Sequence, residues 1–215
     1  MNKDIDPFEF ENKFYLSCHS SRLGKVLAQN ELYKQIINLP GEIVELGVFK
    51  GASLSRFAML RNIYEQNSSR EIIGFDTFAE FPDTNYDKDK YFAKLHNNIS
   101  KSIEIDELYL SLKKRGIGEG VELIKGNIVE TIPKYLEKRP SLKISLLNLD
   151  TDVYEPAVIT LEKLYPRVCK GGIVIIDNYA KVPGETKAVD EYFNDLDITI
   201  NKFPFSSTPC YFVKK

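Results

Sequence analysis

Glu45-Leu46-Gly47-Val48-Phe49-Lys50-Gly51-Ala52-Ser53 is the stretch whose reading decides the fold. A short apolar run, residues 43–46, enters it, and a helical pattern over about 52–64 leaves it. Gly47 and Gly51 permit a tight turn and close approach of a ligand to the backbone. The helix that follows points its free N-terminal amides into the same space. The spacing is not GxGxxG, and the Lys-Ser/Thr ending of a Walker P-loop is missing.

Outward from this turn, strands and helices alternate. Upstream, Val26, Leu27, Leu32, Tyr33, Ile36 and Ile37 predict a helix over 24–39, ended by Pro40-Gly41. Downstream, apolar runs predict strands over 72–75, 121–124, 144–149 and 173–176, separated by helices over 129–136 and 154–168 and followed by one over 186–193. This is the pattern of a mostly parallel, twisted α/β sheet covered on both faces. Residues 198–200 and 211–213, joined through Pro204 and Pro209, predict two strands with no helix between them, a C-terminal antiparallel pair.

With no repeat and no Pro/Gly/Ser-rich linker, 1–215 reads as a single domain with a helical arm over 1–40. Residues 79–120 are a long excursion where one helix would suffice. Phe81 to Lys90 reads as loop and the remainder as helix, so the segment is expected to be a lid-like cover over the site rather than a passive insertion.

The bulk composition removes several function classes. The formal charge is −2, from 29 basic and 31 acidic residues, so nothing pulls the whole chain toward nucleic acid or anionic lipid. No apolar run is long enough to span a bilayer, and the acidic start, Met1 to Pro7, does not resemble a signal peptide. Cys18, Cys169 and Cys210 are scattered without CxxC spacing, which fits a reducing cytoplasm and disfavours zinc.

Ligands of an open parallel sheet bind beyond the carboxyl ends of its strands. At the first such end, Glu45 would be a poor neighbour for a pyrophosphate. It suits S-adenosylmethionine, which carries a sulfonium and an ammonium; the alternative is a turn that merely starts a helix, with Glu45 ion-paired. Gly47, Gly51 and Ser53 complete this cradle. The second strand ends in Asp76-Thr77-Phe78, where a carboxylate can accept both ribose hydroxyls of a nucleoside, or else simply cap a turn. Asn127, after the third strand, could meet an adenine edge.

The fourth and fifth strands run into Asp150-Thr151-Asp152 and Asp177-Asn178-Tyr179. Adjacent parallel strands would crowd these carboxylates on one rim, where they repel unless a cation, a proton or hydrogen bonds compensate. Oxygen-only side chains suit Mg²⁺. Each residue also has a structural alternative: Asp152 could cap the next helix in a capping box with Glu155, and Asp177 and Asn178 could close a turn.

Val44-Glu45-Leu46-Gly47-Val48-Phe49-Lys50-Gly51, Leu149-Asp150-Thr151-Asp152-Val153-Tyr154-Glu155, Leu164-Tyr165-Pro166 and Gly171 to Tyr179 resemble the macrocin O-methyltransferase family, in the family's order. The resemblance covers about 17–193. It implies a Rossmann-like class I methyltransferase fold and Mg²⁺-dependent transfer of a methyl from S-adenosylmethionine to a hydroxyl, usually on a deoxysugar. Asp150, Asp177 and Asn178 match its metal-ligand positions and Asp152 its general base; Asp150 also borders the cofactor. The family usually carries an aspartate where this chain has Asn178.

The expected partner is therefore a small-molecule hydroxyl acceptor, a sugar or glycoside, with no nucleic acid or membrane and with a homo-oligomer allowed. Tyr179 and residues 181–184 are expected to border the acceptor. Two alternatives stand beside this one. A nicotinamide-dependent sugar-nucleotide enzyme lacks its GxGxxG and a Tyr-x-x-x-Lys pair here, and a non-catalytic S-adenosylmethionine-binding subunit leaves the acidic rim without a task.

Overall fold

A computed structural model describes residues 6–99 and 101–215; the part of the arm reading that falls on 1–5 lies outside them. The core element is a seven-stranded sheet. β1 (Glu42–Leu46), β2 (Ile72–Asp76), β3 (Val121–Lys125), β4 (Ile144–Leu149), β5 (Val168–Ile176), β6 (Asn201–Lys202) and β7 (Cys210–Val213) lie in the order β3-β2-β1-β4-β5-β7-β6. β1 to β5 are parallel, and β7 runs antiparallel to both of its neighbours. The order turns back at β1 and β4, which places the crevice of an open α/β sheet above their carboxyl ends.

Period-two alternation divides the strand side chains between two cores. Val44, Leu46, Ile73, Phe75, Leu147, Leu149, Val174 and Ile176 face α6 (Ile128–Lys138), α7 (Tyr154–Lys163) and α8 (Pro183–Tyr192). Ile43, Ile72, Leu146, Ile173 and Ile175 face α2 (Ser20–Ile36), α3 (Ala52–Tyr64) and α5 (Ile105–Lys114). Strands buried on both faces explain why the sequence runs are continuously apolar. α1 (Pro7–Ser17) precedes α2, and Asp6 caps it by accepting the Phe8 amide at 3.0 Å. Among the described residues, no helix is long and apolar enough to cross a membrane.

Three expected boundaries move. The helix from Tyr154 stops at Lys163; a 3-10 turn, Tyr165–Arg167, follows, and Val168 already begins β5. Pro166 accounts for the break, since it cannot continue an α-helix through its missing N–H. The strand expected at 198–200 lies instead at Asn201–Lys202, because only there do residues reach register with Tyr211 and Cys210; Ile198 and Ile200 pack against the core without pairing. Asp87 to Lys90, read as loop, opens α4 (Asp87–Ile99), whose acidic first turn suits a helix N-terminus.

The excursion between β2 and β3 is tied down at its start. Glu155 of α7 accepts the Thr84 hydroxyl at 2.8 Å and the Asn85 amide at 2.7 Å. Asp89, fully buried on α4, accepts the Tyr154 amide at 2.9 Å and the Gly184 amide. One carboxylate thus satisfies free amides at the N-termini of both α7 and α8.

Beneath the sheet's amino end, Arg70 is a second buried tie. Its guanidinium pairs with Glu65 at 2.7 Å and donates to Ser145 Oγ at 2.6 Å and to the carbonyls of Gly41, Ile36, Ile37 and Leu39. It closes the end of α2 against β1 and β4.

Candidate active site

A cavity of about 300 Å³ lies over the strand ends of the crevice. Gly47 and Ser53 after β1, Asp76 and Thr77 after β2, Asn127 after β3, Asp150 and Asp152 after β4, and Asp177 and Asn178 after β5 all border it. Residues separated by as much as 131 positions therefore meet in one place, as the parallel topology requires.

The β1 turn is built on close approach. Gly47 has φ +92°, and a Cβ there would fall 1.8 Å from the carbonyl oxygen of Asp150. Gly47 donates its amide to Phe75 at 2.9 Å, and the Asp150 amide bonds Leu46 at 3.0 Å, so three strand ends converge on this turn. Gly51, at φ +75°, is the N-cap of α3; it packs under Leu108 and does not border the cavity.

Two expected ligand contacts are corrected. Glu45 alternates onto the face of Ile43, not into the crevice: it is fully buried and accepts the Ser53 hydroxyl at 2.5 Å. Burial raises its carboxyl to about 7, against the lowering influence of Ser53 and Arg56. Phe78 is buried in the core of α3 and α5, and only its backbone serves the site, through an amide bonded to Asp76 Oδ1 at 2.7 Å. The other Asp76 oxygen accepts the Phe49 amide at 2.8 Å, so two backbone bonds orient this carboxylate at the cavity wall. Asn127 caps α6 through Oδ1, accepting Val129 N–H at 3.0 Å, and borders the cavity.

The expected capping box at α7 does not form. Val153 is the N-cap and makes no side-chain bond, while Asp152 sits at φ +63° with its carboxylate on the rim. Tyr179 and Lys181 are also displaced from the expected acceptor wall: the Tyr179 hydroxyl donates to Asp190 at 2.7 Å, and neither residue borders the cavity.

Asp150, Asp152, Asp177 and Asn178 meet along one side of the cavity. Asn178 Nδ2 donates to Asp152 Oδ1 at 2.7 Å and to Asp150 Oδ1 at 3.1 Å. Lys25, on α2, places its ammonium 2.6 Å from Asp177 Oδ2 and 3.8 Å from Asp150 Oδ2. Beneath them Glu185, fully buried in the first turn of α8, accepts the amides of Thr151, Asp152 and Asn178 at 3.2, 3.1 and 2.8 Å. It thereby joins the β4 and β5 loops.

Four carboxylates share this volume with the Lys25 ammonium, and Arg22 and Arg56 line the same cavity. Burial, then Asp177, pushes Asp150 well above the usual carboxylate range. The same causes bring Asp152 to about 7, and burial followed by Asp152 raises Glu185 to about 8. Burial opposes the charge on Lys25, but Asp150 and Asp177 together hold its ammonium above its ordinary value.

Sequence reasoning missed Lys25, Glu185 and His96. Lys25 and Gln29 lie one turn apart on the stripe that buries Ala28 and Leu32, so polar residues on a buried stripe were the available signal. Glu185 looks like an ordinary first-turn acid. His96 borders the cavity from α4, edge-on to Phe49 and Phe81 at 5.0 and 5.1 Å, and burial lowers its pKa.

The sheet order, the reversed β7 and the glycine turn at the switch point define a class I methyltransferase fold. The chain belongs to the macrocin O-methyltransferase family, whose model matches residues 21–214. It is 30% identical over 167 residues to demethyldecarbamoylnovobiocin O-methyltransferase of Streptomyces niveus, covering 75% of this chain and 61% of that protein. It is 24% identical over 160 residues to mycinamicin III 3''-O-methyltransferase of Micromonospora griseorubida, covering 72% and 61%. The chain spans 54–61% of the length of the curated relatives it matches. Among solved structures, CalS11, a calicheamicin methyltransferase, superposes with a TM-score of 0.77 at 31% identity, covering 99% of this chain and 87% of that one. The O-methyltransferase NovP gives 0.75 at 25% identity, covering 89% and 79%.

Among the described residues, no three His, Cys, Asp or Glu side chains converge on one metal-sized point. The donor chemistry nevertheless fits a hard cation. Asp177 Oδ1 is buried without a hydrogen-bond partner. Asn178 can present its amide oxygen in place of Nδ2, because the two ends of an amide exchange by rotation.

Proposed function

We propose that this chain is an S-adenosylmethionine-dependent, Mg²⁺-dependent O-methyltransferase acting on a hydroxyl of a sugar or glycosylated small molecule. The observation that carries this reading is the juxtaposition of Asp76 with the Asp150, Asp152, Asp177 and Asn178 rim around one cavity. The chain works as one methyltransferase domain in the cytoplasm on a small molecule, without nucleic acid or membrane, with 1–40 as an arm and 79–120 as a cover. Family membership and the natural-product sugar methyltransferases among its relatives agree with it.

The donor would supply an electrophilic methyl group, and Asp150, Asp177 and Asn178 would hold Mg²⁺, which would supply a Lewis acid that makes a hydroxyl easier to ionise. Asp76 orients the ribose, and the β1 turn brings the backbone against the donor. Asp152 takes the acceptor proton: its carboxylate stands on the rim beside Asn178 and borders the cavity in which the hydroxyl would lie. Glu185 holds the backbone of Asp152 and Asn178, which fixes where their side chains point. Phe81 and His96, from the excursion after β2, cover the cavity and keep water out.

The test is incubation with S-adenosylmethionine, MgCl₂ and a panel of nucleotide-linked sugars and glycosides, with mass spectrometry for addition of one methyl. Asp152→Asn should lower turnover by at least about a hundredfold while calorimetric affinity for S-adenosylhomocysteine stays unchanged. Turnover that survives this substitution removes the base assignment, and turnover that survives EDTA removes the metal.

A further inference from the structure

Lys25 occupies the part of the rim where charge balance calls for a cation. Its ammonium lies between the two acids proposed as metal ligands, 2.6 Å from Asp177 and 3.8 Å from Asp150, with the side chain 16% exposed. It comes from α2, outside both strand-end loops, and α2 packs across α3, β4 and β5. Its neighbour on the stripe, Gln29, bonds Arg56 at 2.6 Å. The helix that carries the cation is therefore itself fixed against the sheet.

We propose that Lys25 is a resident counter-cation that competes with the divalent ion for the Asp150–Asp177 pair. Without metal, its ammonium relieves the repulsion of the buried carboxylates and keeps the rim folded. When a divalent ion enters, the same charge opposes it: the ammonium either swings away from Asp177 Oδ2 or stays as an unfavourable positive neighbour. The unpartnered Asp177 Oδ1 leaves an oxygen through which the ion can begin to bind before Lys25 moves. Two unit charges about 4 Å apart interact strongly even at the effective dielectric of a protein interior, so removing one should be readable in metal affinity. Asn178 in place of a third acid lowers the negative charge of the site, which makes the lysine's competition weigh more.

This inference rests on the metal reading given above, and its test separates the two. MgCl₂ is titrated calorimetrically into the metal-free wild-type chain, Lys25→Met and Lys25→Arg, each with a thermal melt before and after Mg²⁺. The expected result is Mg²⁺ binding at least about tenfold tighter in Lys25→Met than in wild type. Lys25→Arg, which keeps the charge, should stay within about threefold of wild type. Lys25→Met should also melt lower than wild type without metal and gain more from MgCl₂. Equal or weaker Mg²⁺ affinity in a folded Lys25→Met overturns the competition while leaving the metal reading intact. No Mg²⁺ binding in wild type or either variant overturns both. If Lys25→Met does not fold even with MgCl₂, Lys25→Gln takes its place, judged by the same tenfold criterion.

Discussion

Gly47→Ala tests the most constrained point of the site. Gly47 has φ +92°, and the new Cβ would stand 1.8 Å from the Asp150 carbonyl oxygen, where real Cβ atoms essentially never come within 3.0 Å. The backbone conformation alone costs about 1–2 kcal/mol in an L residue. The overlap adds more, because one chain must retreat by more than ~1 Å while Gly47 is bonded to β2 and Asp150 to β1. A total near 2–5 kcal/mol is expected. Gly116→Ala is the control: Gly116 has φ +68°, but nothing lies within 4 Å of its Cβ position, so it should lose only the conformational part, about 1–2 kcal/mol. Urea denaturation of both variants gives the difference, and calorimetry with S-adenosylhomocysteine reads the site. Gly47→Ala should lose about tenfold or more in affinity, since each 1.4 kcal/mol of misplacement is a factor of ten. Equal destabilisation by the two variants, with cofactor affinity intact in Gly47→Ala, would refute the close-approach reasoning.

Arg70→Met should cost about 3–5 kcal/mol by leaving Glu65 buried and unpaired; equilibrium unfolding that shows less than about 1 kcal/mol would contradict the buried-tie account. Glu45→Gln should change the pH dependence of stability. The Glu45 carboxyl is raised to about 7, so its contribution is fully present below its ordinary value near 4.5 and is lost as pH rises toward 7. The variant should therefore gain relative to wild type, by up to a few kcal/mol, between pH 5 and pH 8; a difference that stays flat with pH would exclude a neutral buried Glu45. Asp89→Ala removes the shared acceptor at α7 and α8, which should cost about 1–3 kcal/mol and speed amide hydrogen exchange across α4. Unaltered exchange there would mean that Asp89 does not anchor the cover.

What the residues alone determined follows from local physics. Apolar runs bounded by glycine, proline and polar breaks placed β1 to β5, since a strand buried on both faces must be apolar at every position. The Gly47–Ser53 turn and the acids after β2, β4 and β5 were legible because parallel strands deliver their carboxyl ends to one edge. Side-chain destinations were different. Glu45 and Phe78 stood in the right segments, but sheet alternation and burial, known only with neighbours in place, turned them inward. Asp152 was freed from capping by a left-handed backbone that Glu185, 33 residues away, holds with one hydrogen bond. Lys25 reached the rim across 152 residues, and no local pattern names a partner at that distance. The sequence determined which chemistry would gather at the strand ends; the tertiary structure decided which charges would face one another there, because long-range electrostatic pairing is set by packing rather than by neighbours along the chain.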